Sequence, residues 1–277
     1  MQLLEFFLPT VLAHETGEPH VEPVVETVKK LDQLVSEGSL QTVYVAAIAL
    51  GLLLLVAILL RNPAESAKRV LFWSIASITI ISTGLLVGMT IYLNHTSVTK
   101  GPVHWHADFE IWACGVKQDL LDPTGLSNKI GSPTLHEHDD LRIHVEGVVV
   151  EYPDVNLGAF FETIGGGLTG QSLTFPTNAG HESFTNGQSC PGSTETAELQ
   201  VFAVTADLQN RTYSQHKLTD PAAYRFAQHS QVPPGDCLIL EFAEPKNRTD
   251  KLCQSYQVAK VTGELTIEVP YQEDDGN

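Results

Sequence analysis

Apolar positions along this chain fall into two long uncharged runs, followed by a region of short alternating segments. The runs are residues 42–60 (TVYVAAIALGLLLLVAILL) and 70–93 (VLFWSIASITIISTGLLVGMTIYL). Each is long enough to cross a hydrocarbon core as a helix that satisfies its own backbone. Between them lies a short connection with Arg61, Lys68 and Arg69. Before them, residues 24–35 carry Val24, Val25, Val28, Leu31, Leu34 and Val35 at helical spacing, which predicts an amphipathic helix ended by Glu37-Gly-Ser39.

After residue 101 the period changes to two. Residues 103–113 alternate, with Val103, Trp105, Ala107, Phe109 and Ile111 on one face. His104, His106, Asp108 and Glu110 occupy the other, an expected polar outer face. Residues 141–150 alternate likewise: Leu141, Ile143 and Val145 point inward, Arg142, His144 and Glu146 outward. Residues 154–164 predict a short helix with Asn156 as N-cap and Gly165-Gly-Gly167 as its stop. Leu157, Phe160, Phe161 and Ile164 form its buried side. Further strands are expected at 198–204, at 237–242 and across 257–269, the last around a turn at Thr262-Gly263. Residues 169–196, rich in Gly, Ser, Thr and Asn, read as an irregular surface loop fixed by Cys190.

The expected fold class is therefore α+β: a two-span transmembrane helical hairpin followed by a mixed sheet with a short helix, β-grasp-like or another small α+β domain. The segments are 1–41 (outer N-terminal segment with its helix), 42–93 (two spans), 101–271 (α+β domain) and 272–277 (a disordered acidic tail). Residues 1–13 are apolar but lack a basic start, so they suit a short interfacial helix. Cleavage after Ala13 would instead leave His14 at the N-terminus.

Charge orients this plan. The connection between the runs is basic and both flanks are acidic, which places the connection in the cytoplasm and both flanks outside. The net charge of −17 excludes nucleic acid as a partner. The expected partners are membrane lipid around the two spans and, through Gly84-Leu-Leu-Val-Gly88, a membrane-protein partner or a second copy. Cys114, Cys190, Cys237 and Cys253 all fall in the outer part, which implies two disulfides with three possible pairings. No Cys-x-x-Cys occurs. Asn94, Asn210 and Asn247 begin sequons on the same side.

The chemistry lies in five histidines between His104 and His144. One His-x-His on a strand is ordinarily a solvated face. Here His104-Trp-His106, His136-Glu-His138 and His144 fall close together with acids interleaved, the composition of a transition-metal site. The first ligand candidates are His104, His106 and His144, followed by His136 and His138, whose loop leads into the second strand. Asp108, Glu110 and Asp139 are carboxylates that ligate or orient a ring. His181 is a more remote candidate; His95, His216 and His229 read as surface residues. Copper and zinc are the metals that accept this set. Methionine copper chemistry has no support, because Met1 and Met89 are the only methionines. No calcium loop, nucleophile elbow, phosphate loop or His-Glu-x-x-His occurs.

The order His-Trp-His-Ala…Cys-Gly, His-x-His-Asp-Asp…Ile-His-Val-Glu-Gly and Leu-Gly-x-Phe-Phe, over residues 101–166, resembles a group of uncharacterised prokaryotic membrane-anchored proteins. That resemblance implies that the histidine set is a family feature and brings no known activity. His104-x-His106 with Glu110 also resembles part of the first cupin motif, though the spacing to Gly115 is short and no second motif follows. Three roles fit these residues: a membrane-anchored metal-handling protein, an outer-face metalloenzyme with an open three-histidine site, and an accessory subunit of a membrane complex.

Overall fold

The computed structural model describes residues 31–226 and 235–271. Two long helices, α1 (Leu31–Leu59) and α2 (Glu65–Thr96), pack on each other and form a hairpin. Both are long and apolar enough to cross a membrane. The hydroxyls of Thr79 and Thr90 donate to the carbonyls of Ile75 and Leu86 one turn back, so these polar groups are satisfied within the helix. α1 does not end at Glu37-Gly-Ser39. It runs straight through, and Thr42 Oγ1 donates to Gly38 O. A Cβ on Gly38 would meet Met89 Sδ at 3.5 Å, so this glycine lies at the contact with α2 rather than at a helix end. The predicted helix over 24–35 and the segments 1–13 and 272–277 lie largely or wholly outside the described residues.

The remaining chain forms two sheets. In chain order the strands are β1 (Pro102–Ala113), β2 (Val116–Gln118), β3 (Ile130–Gly131), β4 (Leu135–Glu137), β5 (Arg142–Val148), β6 (Gly167–Leu168), β7 (Ser172–Thr177), β8 (Gly180–Thr185), β9 (Glu198–Asp207), β10 (Thr212–Lys217), β11 (Asp236–Ala243) and β12 (Ile267–Glu268). Helix α3 (Leu157–Thr163) follows β5, and α4 (Gln254–Thr262) follows β11. The large sheet has the order β12-β10-β9-β11-β1-β5-β4-β3, with β2 paired to β1. Its four long central strands run β5-β1-β11-β9, the inner pair parallel and the outer pairs antiparallel. With α3 entering after the second of these strands, this is the β-grasp-like, α+β plan expected of the sequence.

One face of the sheet carries Trp105, Ala107, Phe109, Ile143 and Val145 and packs on α3 through Phe160 and Phe161. Asn156 caps α3, its Oδ1 accepting from the Ala159 N–H. The opposite face is not the solvated surface the alternation suggests. Helix α4 covers part of it with Tyr256 and Ala259, which join Phe202, Val204 and Ile239 in a second core. Asp108 and Glu110, which face the cleft beside α4, are buried, and so is His106, packed between His104 and His144. The charges of Asp108 and Glu110 are paired, as burial demands. Asp108 Oδ1 accepts from Arg142 Nε at 2.6 Å, and Glu110 Oε1 from Lys117 Nζ at 2.9 Å.

Three further expectations are corrected. Residues 257–269 are not two strands about a turn: most of the first half is helix α4, and Gly263 is its left-handed C-cap at φ 79°. The β-branched Val258 and Val261 suggested a strand, but they lie on its exposed side while Tyr256 anchors it inward. Residues 169–196 are not an irregular loop. They contain the hairpin β7–β8, in which Leu173 and Phe175 are buried and Thr174 meets Ser183 across the strands at 3.0 Å. His136 belongs to strand β4 rather than to a loop.

The disulfides are Cys114–Cys190 and Cys237–Cys253. The first ties the β1–β2 hairpin to the segment after β8; the second ties the start of β11 to the N-cap of α4. The Cys237→Ala/Cys253→Ala variant is expected to lose about 3 kcal/mol of stability, the value for closing a loop of roughly this length. Urea denaturation tests this, and an unchanged midpoint would contradict it.

Candidate metal centre

Strand register brings the histidines together. Along β1 and β5, His106 stands opposite His144, His104 opposite Glu146, and Asp108 opposite Arg142. On its other side His144 pairs with His136 of β4. His106, His144 and His136 therefore form one row across three strands. Directly opposed residues have Cβ atoms only about 5 Å apart, so the rings have to meet. Ring centroids lie 4.7 Å apart for His106–His144 and 5.5 Å for the stacked His136–His144 pair. His104 lies 4.5 Å from His106, and His138 lies 4.8 and 4.9 Å from His136 and His144.

His104, His106 and His144 each offer one nitrogen, and these three atoms lie within 4.8 Å of one another. The Nε2 atoms of His104 and His106 are 3.0 Å apart, close enough to share one proton or one cation. Nitrogens on a tetrahedral zinc are about 3.3 Å apart, from bond lengths near 2.0–2.1 Å. A spread of at most 4.8 Å leaves the three able to hold such an ion. Several ring nitrogens of the cluster also lack hydrogen-bond partners. His106 Nδ1, His144 Nδ1 and both nitrogens of His136 are buried without a hydrogen bond. Buried polar atoms of this kind are rare and call for a reason, and an ion that accepts their lone pairs is one.

Carboxylates surround the rings. Glu146 Oε1 is 3.0 Å from His104 Nε2, and its Oε2 is 3.7 Å from His136 Nε2. Asp140 Oδ2 is 3.3 Å from His144 Nε2. The sequence pointed to Asp108, Glu110 and Asp139 instead. Asp108 adjoins His106 on β1 but is bound by Arg142; Glu110 is held by Lys117 and Trp112; Asp139 is an exposed turn residue at φ 66°. The signal for Glu146 was present, because it shares the face of His144 two residues on. The signal for Asp140 was not, because its approach depends on the turn before β5. His181 lies elsewhere, exposed, with Nε2 at 3.2 Å from Gly165 O. His95 is exposed, and His216 stacks on Tyr271. His229 is outside the described residues.

Burial sets the charge of the rings. Desolvation, reinforced by His144 and His104, lowers the pKa of His106 to about 4. Desolvation and Lys129 lower that of His136 to about 4, with Glu146 opposing. Both are neutral at neutral pH, the form that ligates a metal. A stability effect follows. The unfolded chain takes up these protons near pH 6.5 and the folded chain only near 4, so the contribution is complete above 6.5 and lost between 6.5 and 4. Burial raises the Glu137 carboxyl, which acts in the opposite direction. Metal-free protein is therefore expected to lose about 1.4–2.8 kcal/mol per pH unit within that window, one to two protons' worth. Denaturation at pH 7, 6 and 5 measures it, and constant stability would contradict the burial of neutral rings.

Beside the cluster lies a cleft of about 360 Å³ between α4 and the β1–β5 pair, lined by Asp108, Asp140, Arg142, Ser255 and Glu264 among others. Asp140 belongs to both the cleft and the cluster. No family model, curated protein or solved structure matches this chain. What the molecule defines by itself is an α+β domain with a three-histidine cluster able to hold a metal, two disulfides, and a hairpin of two apolar helices.

Proposed function

We propose that this is a membrane-anchored protein whose extracytoplasmic domain binds copper or zinc, for metal handling or as a structural site. His104, His106 and His144 are the ligands. The observation that carries this reading is their convergence, with buried ring nitrogens lacking partners, on the sheet face beside α4. The apolar hairpin supports the anchor, and lipid is the partner that its two uncharged helices suit. Two disulfides fit an oxidising compartment, and the basic connection fits a cytoplasmic turn. Gly84 and Gly88 on α2 offer a close-packing surface to a membrane partner or a second copy. The net charge argues against nucleic acid.

The test is elemental analysis of the full chain in detergent, alongside His104→Ala/His106→Ala. The expected result is at least one equivalent of copper or zinc bound at the cluster, with the variant holding one equivalent less than wild type. No metal in either protein after incubation with both ions would overturn the reading.

A second reading, an outer-face metalloenzyme, is favoured by the adjoining cleft and by the exposure of His104, which lets solvent reach the cluster. Azide added to the copper-loaded protein distinguishes the two: a shifted copper absorption marks an open position, and no shift marks a closed one.

A further inference from the structure

Five imidazoles are more than one ion uses. A tetrahedral site takes four ligands, and catalytic sites keep three protein ligands with one position for solvent. His104, His106 and His144 meet that number. His136 and His138 lie beyond them on the far side of His144, and the carboxylate of Glu146 stands between the two groups. One Glu146 oxygen is 3.0 Å from His104 Nε2 and the other 3.7 Å from His136 Nε2, so its two oxygens face different histidines.

His136 is fully buried, and neither ring nitrogen makes a hydrogen bond. Its Nε2 is aimed at the Glu146 carboxylate. His138 is oriented from behind: its Nδ1 donates to the carbonyl of Asn128, which leaves the lone pair on Nε2. This is the arrangement by which a backbone carbonyl fixes the tautomer of a metal-ligating histidine. The His138 ring lies 4.8 Å from that of His136.

From these contacts we infer that the face holds two divalent ions side by side, the second ligated by His136 and His138, with Glu146 bridging to the first. This rests on the reading of His104, His106 and His144 as ligands. Two-metal sites place their ions about 3.5–4 Å apart, a distance that a carboxylate with an oxygen on each ion can span. Copper and zinc both accept this imidazole-rich set with a single bridging carboxylate.

The experiment uses the full chain in detergent, stripped with a chelator, loaded with zinc(II) or copper(II) alone, desalted and analysed for bound metal. Wild type is expected to hold two equivalents at the cluster. His136→Ala is expected to hold one. Because His136 is fully buried and its variant can misfold, Glu146→Gln is the second arm: this side chain is 42% exposed, and the change is isosteric. It too is expected to fall from two equivalents to one. In the copper-loaded wild type, spin counting should give less signal than the copper present, through coupling across the bridge, and Glu146→Gln should restore one full spin per bound copper. One equivalent in wild type, lost in His104→Ala/His106→Ala, would overturn the second ion and leave the three-histidine site standing. No equivalent at all would overturn both. Two equivalents retained in both His136→Ala and Glu146→Gln would overturn the assignment of the second ion to these residues.

Discussion

His144→Ala is expected to weaken metal binding by at least about 100-fold while leaving the fold intact. His144 is the middle of the row: it lies opposite His106 on β1 and His136 on β4, and His138 packs on it as well. Loss of groups that merely orient a ligand typically costs 10–100-fold in metal affinity, and a direct ligand exceeds that. The fold is expected to persist because the ring, though buried at 9% exposure, packs among other imidazoles and belongs to neither apolar core. Competition with a chromogenic chelator reads the affinity, and a thermal melt of the metal-free protein reads the fold. An unchanged affinity would remove His144 from the site, and with it the row that organises the cluster.

The second large effect is on stability. Arg142→Ala is expected to cost about 3 kcal/mol, because it strands the buried Asp108 carboxylate without its partner. The estimate takes the low end of the range for broken buried pairs, since the Arg142 side chain is 23% exposed and water reaches the gap. The replacement of both residues, Asp108→Leu/Arg142→Met, is expected to recover most of the loss, because no isolated charge remains. Chemical denaturation followed by the fluorescence of buried Trp105 measures both. Equal losses in the single and double variants would show that packing, not the stranded charge, carries the cost.

Some of this molecule was legible in its sequence and some was not, for definite reasons. The uncharged runs announced the helical hairpin, because length and apolarity are local properties. The alternation in β1 and β5 placed His104, His106 and His144 on common faces, because strand period is local too. Which residues stand opposite each other is not local. The β1–β5 register sets His104 against Glu146, and β4 adds His136 to the row, through a segment whose short strand is masked by His-Glu-His-Asp-Asp. The cover on the polar face was hidden for the same reason. α4 reads as β-branched and strand-like, yet Tyr256, whose hydroxyl donates to Gly235 O, fixes it across the sheet. The pairing of four cysteines also depended on the topology, which puts Cys114 beside Cys190 and Cys237 beside Cys253.

The central claim is that imidazoles from β1 and β5 hold a metal, and X-ray absorption spectroscopy of the loaded full chain tests it most directly. Zinc-loaded protein is expected to show a first shell of nitrogen and oxygen near 2.0–2.1 Å, with the outer-shell scattering of about two to three imidazoles per ion. His104→Ala/His106→Ala should remove the imidazole scattering of the ion held by His104, His106 and His144, leaving at most that of an ion on His136 and His138. A shell of oxygen alone, or an imidazole signature unchanged in the variant, would contradict it.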